Sequence, residues 1–371
     1  MFSIYANLPC KYSLITKRII SFIVKNVKTY GVRLIYSNLC DRRAATKGCP
    51  KMLKEIIEDL RQFDGIKRKK DIKIVSEVLK GAFWSDDVVI GLGDDAGVIK
   101  SKTDGEYLLL ACDGIHPFLV KNEPYAAGKA SVMVNVSDIY AMGGTPIAAV
   151  NVISYRSEDV LRKIIEGMKN ASLKFRVPMI GGHIHPGADE NAVSVAILGR
   201  ATKYITSFGA NHGDDIILAV DLNGKQGCKS VNSWDSNSGK DSEVVLRQLG
   251  VMNQLAEKGI VTSAKDVSMG GIAGTIAMLL ESSKKGGIIY LDRIPAPQGV
   301  EFNKWIKSFL SYGFIISCLP SNSDRVISMF NTVGIEAATI GNIDDSKQFV
   351  LSRHGEKELL FDFNKDYIAC P

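Results

Sequence analysis

The sequence predicts an α+β protein built from two domains of similar size, and three observations carry that expectation. The chain has 371 residues, enough for two domains of typical size. Short apolar runs of strand length alternate with helical patterns, without the regular βαβ beat of a parallel sheet. Between the halves lies a turn-rich segment, Thr206-Ser-Phe-Gly-Ala-Asn-His-Gly-Asp-Asp215, after which a new strand begins. The expected division is a basic leader over residues 1–51, a first domain over 52–205 and a second over 206–371.

Taken in order, Met52-Leu-Lys-Glu-Ile-Ile-Glu-Asp-Leu-Arg-Gln-Phe63 places Leu53, Ile56, Ile57 and Leu60 at helical spacing, so ordered structure is expected from Met52. A second helical stretch covers Asp71–Leu79. Strands are expected at Val88–Leu92, Tyr107–Ala111, Ile147–Ile153 and Val193–Leu198, and helices at Pro124–Ala141 and Glu158–Phe175. In the second half the expected helices are Glu243–Glu257, Gly271–Ser283 and Glu301–Phe309. The expected strands are Ile216–Val220, Ile288–Leu291, Phe314–Cys318 and Glu336–Ile340, with a Ser/Asn/Gly-rich loop at Asn232–Gly239.

Composition excludes several classes. With 46% hydrophobic, 23% charged and 8% aromatic residues the chain is not collagen, coiled coil or disordered throughout. No apolar run approaches a membrane span; the longest near the N-terminus, Ile19–Val24, lies between Lys17-Arg18 and Lys25. The net charge of +6 is concentrated: residues 1–50 hold nine Lys/Arg and one acid, Asp41, a surplus of +8 that leaves −2 for the other 321 residues. A body so nearly neutral speaks against nucleic acid as a partner. Seven cysteines, at 10, 40, 49, 112, 228, 318 and 370, include no CxxC pair and no zinc spacing, which fits a reducing compartment. Three readings are open for the acid-poor leader: an organelle transit peptide, a disordered arm, or sequence upstream of a functional start at Met52. A cytoplasmic location is the expectation, with organellar import by residues 1–51 as the alternative.

Several segments carry residue types suited to chemistry. Gly91-Leu-Gly-Asp-Asp-Ala-Gly97 follows an apolar strand, but its glycines miss the dinucleotide spacing, and Asp94 and Asp95 would repel a pyrophosphate held by backbone amides alone. A bridging Mg²⁺ resolves the conflict, because paired carboxylates are hard oxygen ligands; a plain Asp/Gly turn is the competing explanation. Asp113 closes a strand. Within the helix from Pro124, Gly128, Ser131, Asn135 and Asp138 share one face, a stripe of small and polar groups in place of the long Lys/Glu side chains of a solvated helix. Gly181-Gly-His-Ile-His-Pro186 reads as a loop whose backbone can approach a ligand, with His183 as a phosphate-facing or acid–base group. Asp266-Val-Ser-Met-Gly-Gly271 precedes a helix and reads either as a capped helix entry or as an anion site.

In this order the segments resemble the superfamily of aminoimidazole ribonucleotide (AIR) synthase, thiamine-monophosphate kinase, selenophosphate synthetase and the hydrogenase maturation protein that makes a thiocarboxamide. The resemblance covers roughly residues 66–362. It rests on Gly93-Asp-Asp-Ala, Asp113, Asn135-Val-Ser-Asp-Ile-Tyr-Ala-Met-Gly-Gly-Thr-Pro146, Gly181-Gly-His, Gly213-Asp214 and Asp266-Val-Ser-Met-Gly-Gly271. It implies the two-domain PurM-like fold, a homodimer formed through the first domain's sheet, and ATP with Mg²⁺ in a cleft. By position it implies Asp94, Asp95, Asp113 and Asp138 as metal and phosphate carboxylates. Gly93, Asn135, Gly143, Gly144, Gly181 and Gly182 are implied on the nucleotide side, and Asp94, Asp138, His183 and Asp266 as the catalytic set.

Departures narrow the member. No cysteine occurs in residues 51–90, where selenophosphate synthetase carries a reactive one, and Cys370 is followed by Pro371, unlike the terminal cysteine of the maturation protein. Thiamine-monophosphate kinase has Asp, and AIR synthase Glu, where His183 stands. With Gly114-Ile-His-Pro117 and Ile294-Pro-Ala-Pro297 included, the pattern is most similar to a subfamily described only as AIR synthase-related, whose members begin near the position of Met52. The function implied is a Mg-ATP-dependent phosphotransferase acting on a small-molecule acceptor, in the manner of thiamine-monophosphate kinase. Two alternatives are a selenophosphate synthetase-like enzyme and a non-catalytic ATP-binding partner protein.

Overall fold

Two twisted sheets and the helices between and around them make up the structure, a computed structural model that describes residues 52–82 and 85–369. The leader and Cys370 lie outside the described residues. In chain order the elements are α1 (Leu53–Arg61), α2 (Asp64–Lys67), a 3₁₀ turn (Arg68–Asp71), α3 (Ile72–Leu79), β1 (Val88–Ile90), β2 (Gly97–Lys100), β3 (Tyr107–Gly114), α4 (Pro117–Asn122), α5 (Pro124–Ala141), β4 (Thr145–Tyr155), α6 (Glu158–Phe175), β5 (Met179–Pro186) and β6 (Ala192–Ala201). There follow β7 (Asp215–Val220), β8 (Lys225–Gln226), β9 (Ser233–Asp235), α7 (Ser242–Lys258), β10 (Ser263–Asp266), α8 (Gly271–Ser282), β11 (Gly286–Tyr290), a 3₁₀ turn (Leu291–Arg293), α9 (Phe302–Trp305), β12 (Phe309–Leu310), β13 (Gly313–Cys318), α10 (Pro320–Asn331), β14 (Glu336–Asp344), β15 (Gln348–Arg353) and β16 (Glu356–Asp362). The α+β class stands.

The first sheet has the order β1-β2-β3-β6-β4-β5, antiparallel except for the parallel pair β4 and β5. Alternation along its strands separates two faces. Leu109 and Ala111 of β3, Val193, Val195 and Ile197 of β6, and Ile153 of β4 point inward to a core shared with α5 and α6. On the other face Leu110, Val150 and Val152 are 49%, 41% and 46% exposed. The second sheet, β10-β13-β7-β14-β11-β15-β16, is covered on both faces. Ile217 and Ala219 of β7 join the core of α5, α6, α7 and α10, whereas Ile216, Leu218 and Val220 join that of α1 and α8. Because β7 is buried on both sides, it reads as a continuous apolar run. A small third sheet, β12-β9-β8, lies beside them.

Helix α1 shows how sequence distance and spatial distance part. Its stripe of Leu53, Ile56, Ile57 and Leu60 is buried with residues of the second half, on β15 and β16. Arg61 fixes the placement by donating from Nε to the Leu360 carbonyl at 3.1 Å.

Three local readings are corrected. Glu301–Phe309 is not one helix: the helix spans only Phe302–Trp305, and Phe309 pairs with Ser233 in the third sheet once Trp305 has been buried edge-on to Trp234. The loop expected at Asn232–Gly239 therefore contains strand β9. Gly181–Pro186 is not a loop but most of edge strand β5, because pairing with β4 satisfies its backbone on one side despite the glycines.

The polar stripe on α5 also has a structural explanation. Thirteen of the eighteen residues of α5 are buried, so the helix is enclosed on nearly every side. A Cβ on Gly128 would overlap the Ile164 carbonyl of α6, and one on Gly167 would overlap the Tyr125 carbonyl of α5, so the two glycines let the helices touch backbone to backbone. The Ser131 hydroxyl donates to the Gly128 carbonyl at 2.8 Å, and the Asn135 amide to that of Ser131 at 2.9 Å.

Gly128→Ala is expected to lower unfolding free energy by about 2–3 kcal/mol, the usual scale of overpacking. Gly250→Ala in α7, whose nearest neighbour to an added Cβ is 3.9 Å away, is expected to be neutral or stabilising by up to about 1 kcal/mol through helix propensity. Urea unfolding of both variants checks the contrast.

Candidate active site

The acidic segments of the two halves meet in one cavity of about 420 Å³. The hairpin loop between β1 and β2 brings Gly93, Asp94 and Asp95 to its wall. Gly93 has φ +111°, a backbone conformation that favours glycine, and its open side faces Phe208. In the pairing of β2 with β3, Gly97 lies opposite Leu110, so Asp113, three residues further on, reaches the level of that loop. Asp138 comes from the last turn of α5, beside Val134 and Ala130 in the wall. Lys265 and Asp266 end β10, from the second sheet.

Carboxylate oxygens of Asp95, Asp138 and Asp266 all lie within 4.8 Å of one another. Lys265 forms an ion pair with Asp95, its side chain 9% exposed and that of Asp95 5%. The Asp266 amide donates to Asp95 Oδ2 at 3.1 Å. Asp94 turns the other way: one oxygen accepts from the Ser207 amide at 2.8 Å and the other from the Asp95 amide at 2.9 Å, which ties the hairpin to the segment after β6.

Burial and crowding set the protonation of this cluster. Burial, then the charge of Asp266, holds the Asp138 carboxyl well above the ordinary carboxylate range. Burial, followed by Asp95, pushes Asp266 up to about 8. Asp94 is pushed up to about 6 by burial and Asp95, against the pull of Lys265. Asp113 opens onto the cleft, yet the surrounding protein still withdraws it from water and raises it. For Lys265 burial acts in the opposite sense, but the carboxylates of Asp95 and Asp94 outweigh it and the ammonium is held above its ordinary value. Asp138 and Asp266 resist ionising beside Asp95, and the three together are a fitting donor set for a hard divalent cation, which replaces the protons that Asp138 and Asp266 otherwise retain.

The other residues expected at the site lie elsewhere in the chain. Asn135 is fully buried and does not line the cavity, and its Oδ1 has no hydrogen-bond partner among the described residues. Gly143 and Gly144 are buried and stop α5: their amides donate to the Tyr140 and Ile139 carbonyls, and the Asn253 amide bonds both of their own carbonyls. Gly181, Gly182 and His183 are exposed on β5. Register places Gly182 in one row with Asn151, Val195 and Asp113, three strand spacings or about 14 Å from Asp113. His183 shares its row with Val152 and Ser194 on the outward face, its ring edge-on to His185. Lys265 is the residue that sequence reasoning missed; its position next to Asp266 was the available signal.

Without metal, the protein is expected to lose stability as pH rises from about 4 to about 8. Unfolded aspartates ionise near 3.8, whereas folded Asp266 keeps its proton to about 8, so unfolding releases protons and higher pH favours it. Each retained proton contributes about 1.4 kcal/mol per pH unit. Lys265, raised in the fold, stays protonated throughout this window and adds no slope. Thermal unfolding in chelator and in Mg²⁺ across this range reads the slope, which Mg²⁺ should flatten.

The chain matches the model of the AIR synthase related protein N-terminal domain over residues 93–201 and that of the C-terminal domain over residues 209–354. An uncharacterised Synechocystis protein is 40% identical over 315 residues, covering 85% of this chain and 97% of its own length. Another from Methanocaldococcus jannaschii is 36% identical over 321 residues, covering 85% and 99%. Among solved structures, phosphoribosylformylglycinamidine synthase II of Thermotoga maritima superposes with a TM-score of 0.68 at 17% identity, over 91% of this chain and 55% of its own; this chain thus spans about half its length. The ThiL protein solved with AMPPCP and TMP gives 0.58 at 18% identity, over 77% and 93%. These structural likenesses establish the shared PurM-like fold, and the two domain models with the 40% identical relative establish the family: the chain belongs to the AIR synthase-related proteins.

Proposed function

We propose that this protein is a Mg-ATP-dependent phosphoryl-transfer enzyme acting on a small-molecule acceptor, with the thiamine-monophosphate kinase reaction as its nearest named form. The observation that carries the reading is the cluster of Asp95, Asp138 and Asp266 with buried Lys265 on a cavity wall. T. maritima PurL was solved with ATP and ThiL with AMPPCP, which supports a nucleotide as the ligand of this shared fold. Asp95, Asp138 and Asp266 would hold the Mg²⁺, which when bound offsets negative charge on a transferred phosphoryl group. Lys265 supplies a fixed positive charge in the same wall. Asp94 holds the hairpin in place through Ser207.

The reading includes a homodimer. The outward face of the first sheet is uncovered among the described residues and presents Leu110, Val150 and Val152, and a second copy of the same face would bury them. Val152→Asp is expected to convert a dimer to a monomer in sedimentation equilibrium; a wild-type monomer overturns this part of the reading.

Phosphorus NMR of Mg-ATP incubated with the protein and thiamine monophosphate, selenide or a desalted metabolite extract tests the chemistry. ADP with a new phosphorylated species is expected, and Asp138→Asn should slow its appearance by about 100-fold or more, the scale of losing about 2.7 kcal/mol of transition-state stabilisation. AMP would move the assignment to selenophosphate-type chemistry, and intact ATP in every tube would favour a nucleotide-binding partner protein.

A further inference from the structure

Three cavities adjoin at Val231 and Phe309, which line all of them. One is the carboxylate cavity. A second, of about 1000 Å³, is basic: Arg68, Lys69, Lys121, Arg156 and Lys307 line it, against the acids Asp64 and Glu190. The third is a chamber of about 200 Å³ between one face of α5, which presents Tyr125, Lys129 and Met133, and the chain from β9 onward, which presents Trp234, Asp235 and Asn237. Leu119 and Ala130 line this chamber and the carboxylate cavity alike.

The charged groups of the chamber already have partners. Lys129 is ion-paired with Asp235 at 3.5 Å and donates to the Ser238 hydroxyl. The other Asp235 oxygen accepts from the Asn237 and Ser238 amides at 3.1 and 2.9 Å. Glu123 Oε1 accepts from the Ser230 amide at 2.7 Å and from its hydroxyl at 2.5 Å.

Asn237 is in a different position. Its side chain is buried, the residue being only 1% exposed, and Oδ1 has no hydrogen-bond partner among the described residues. Nδ2 meets the thioether of Met133 at 3.2 Å, a weak acceptor. Exchanging the oxygen and nitrogen of the amide does not repair this, because the oxygen would then face sulfur and the NH₂ would stand in its place. A buried amide poorly paired at both ends is costly unless something supplies the missing partners. Met133 is flexible and also lines the chamber, so it is the side chain that gives way when a better partner arrives.

We propose that this chamber is a second ligand site, which seats an uncharged and mainly apolar molecule by a hydrogen-bond donor beside an acceptor, the edge that a primary carboxamide carries. The ligand N–H donates to Asn237 Oδ1 and its oxygen accepts from Nδ2, which satisfies both ends of the buried amide. Tyr125, Trp234 and Phe309 provide apolar wall for the rest of the molecule. The site rests on the chamber alone, and neither Mg²⁺ nor nucleotide enters the argument.

Benzamide, acetophenone and benzoate are suitable probes: one ring bearing a donor and an acceptor, an acceptor alone, or a negative charge. Calorimetric titration of the full chain, in chelator and without nucleotide, is expected to show benzamide binding at least about tenfold more tightly than either of the others. Asn237→Leu, close in size, should abolish that preference. Cys228 lines the chamber, whereas Cys112 is exposed on β3, so benzamide should slow alkylation of Cys228 by N-ethylmaleimide and leave that of Cys112 unchanged, as read by peptide mass spectrometry. Equal binding of the three probes, no binding of benzamide at millimolar concentration, or unchanged alkylation of Cys228 at saturating benzamide each overturns the site. These three readouts use the wild-type chain and decide the matter even if Asn237→Leu does not fold. Because they contain neither Mg²⁺ nor ATP, they stand or fall separately from the phosphoryl-transfer reading.

Discussion

Asp95 is held from the second sheet by two contacts, an ion pair with Lys265 and a hydrogen bond from the Asp266 amide. The tip of the β1–β2 hairpin is thereby bound to the end of β10, and the cavity exists because two sheets are joined at that point. Asp94 adds a third tie through Ser207. The arrangement is strained electrostatically. At separations of 4.8 Å or less, each pair of ionised carboxylates would repel by about 3.5 kcal/mol or more at an effective dielectric near 20. One ammonium does not neutralise three carboxylates, so the metal-free cluster retains protons that a divalent ion can displace.

The acidic half of this site was legible in the sequence. Asp94, Asp95, Asp113, Asp138 and Asp266 all line the cavity, because each sits where a strand or helix ends and the chain must turn. The glycines were less legible. Gly143 and Gly144 sit in the same motif as Asp138, but a glycine that stops a helix and one that admits a phosphate look alike in one dimension. Asn135 lies one helical turn from Asp138, yet that step moves it off the cavity wall and into the packed interior. Lys265 escaped notice because a single lysine next to Asp266 is a weak signal in the sequence; its burial beside Asp95 is what gives it meaning.

Secondary structure followed the same division. Helices α5 and α6 match their predicted limits, since Pro124 and Ser157 start them and long helical patterns run between. Strand β5 was hidden by Gly-Gly, and β12 by a short helical pattern that burial of Trp305 cuts off. The helical stripe of α1 was plain, but nothing local could show that its partners, β15 and β16, lie some 300 residues away. Long-range pairing of that kind is decided by which apolar face remains uncovered after the sheets have formed.

The opposite charges of the two adjoining cavities impose a direction on any ligand that spans them. Carboxylates repel a phosphate unless a cation intervenes, so an anionic group arriving without its own metal is driven from the acidic cavity and attracted to the basic one. A phosphate that comes with Mg²⁺ has the reverse preference, since its metal finds three oxygen donors on one wall. Lys69 lines both cavities and Lys265 is fixed in the acidic one, leaving positive charge on either side of their junction. Two anions, one carrying a divalent cation and one without, would therefore be sorted by charge where the cavities share the wall of His116, Met269 and Phe309.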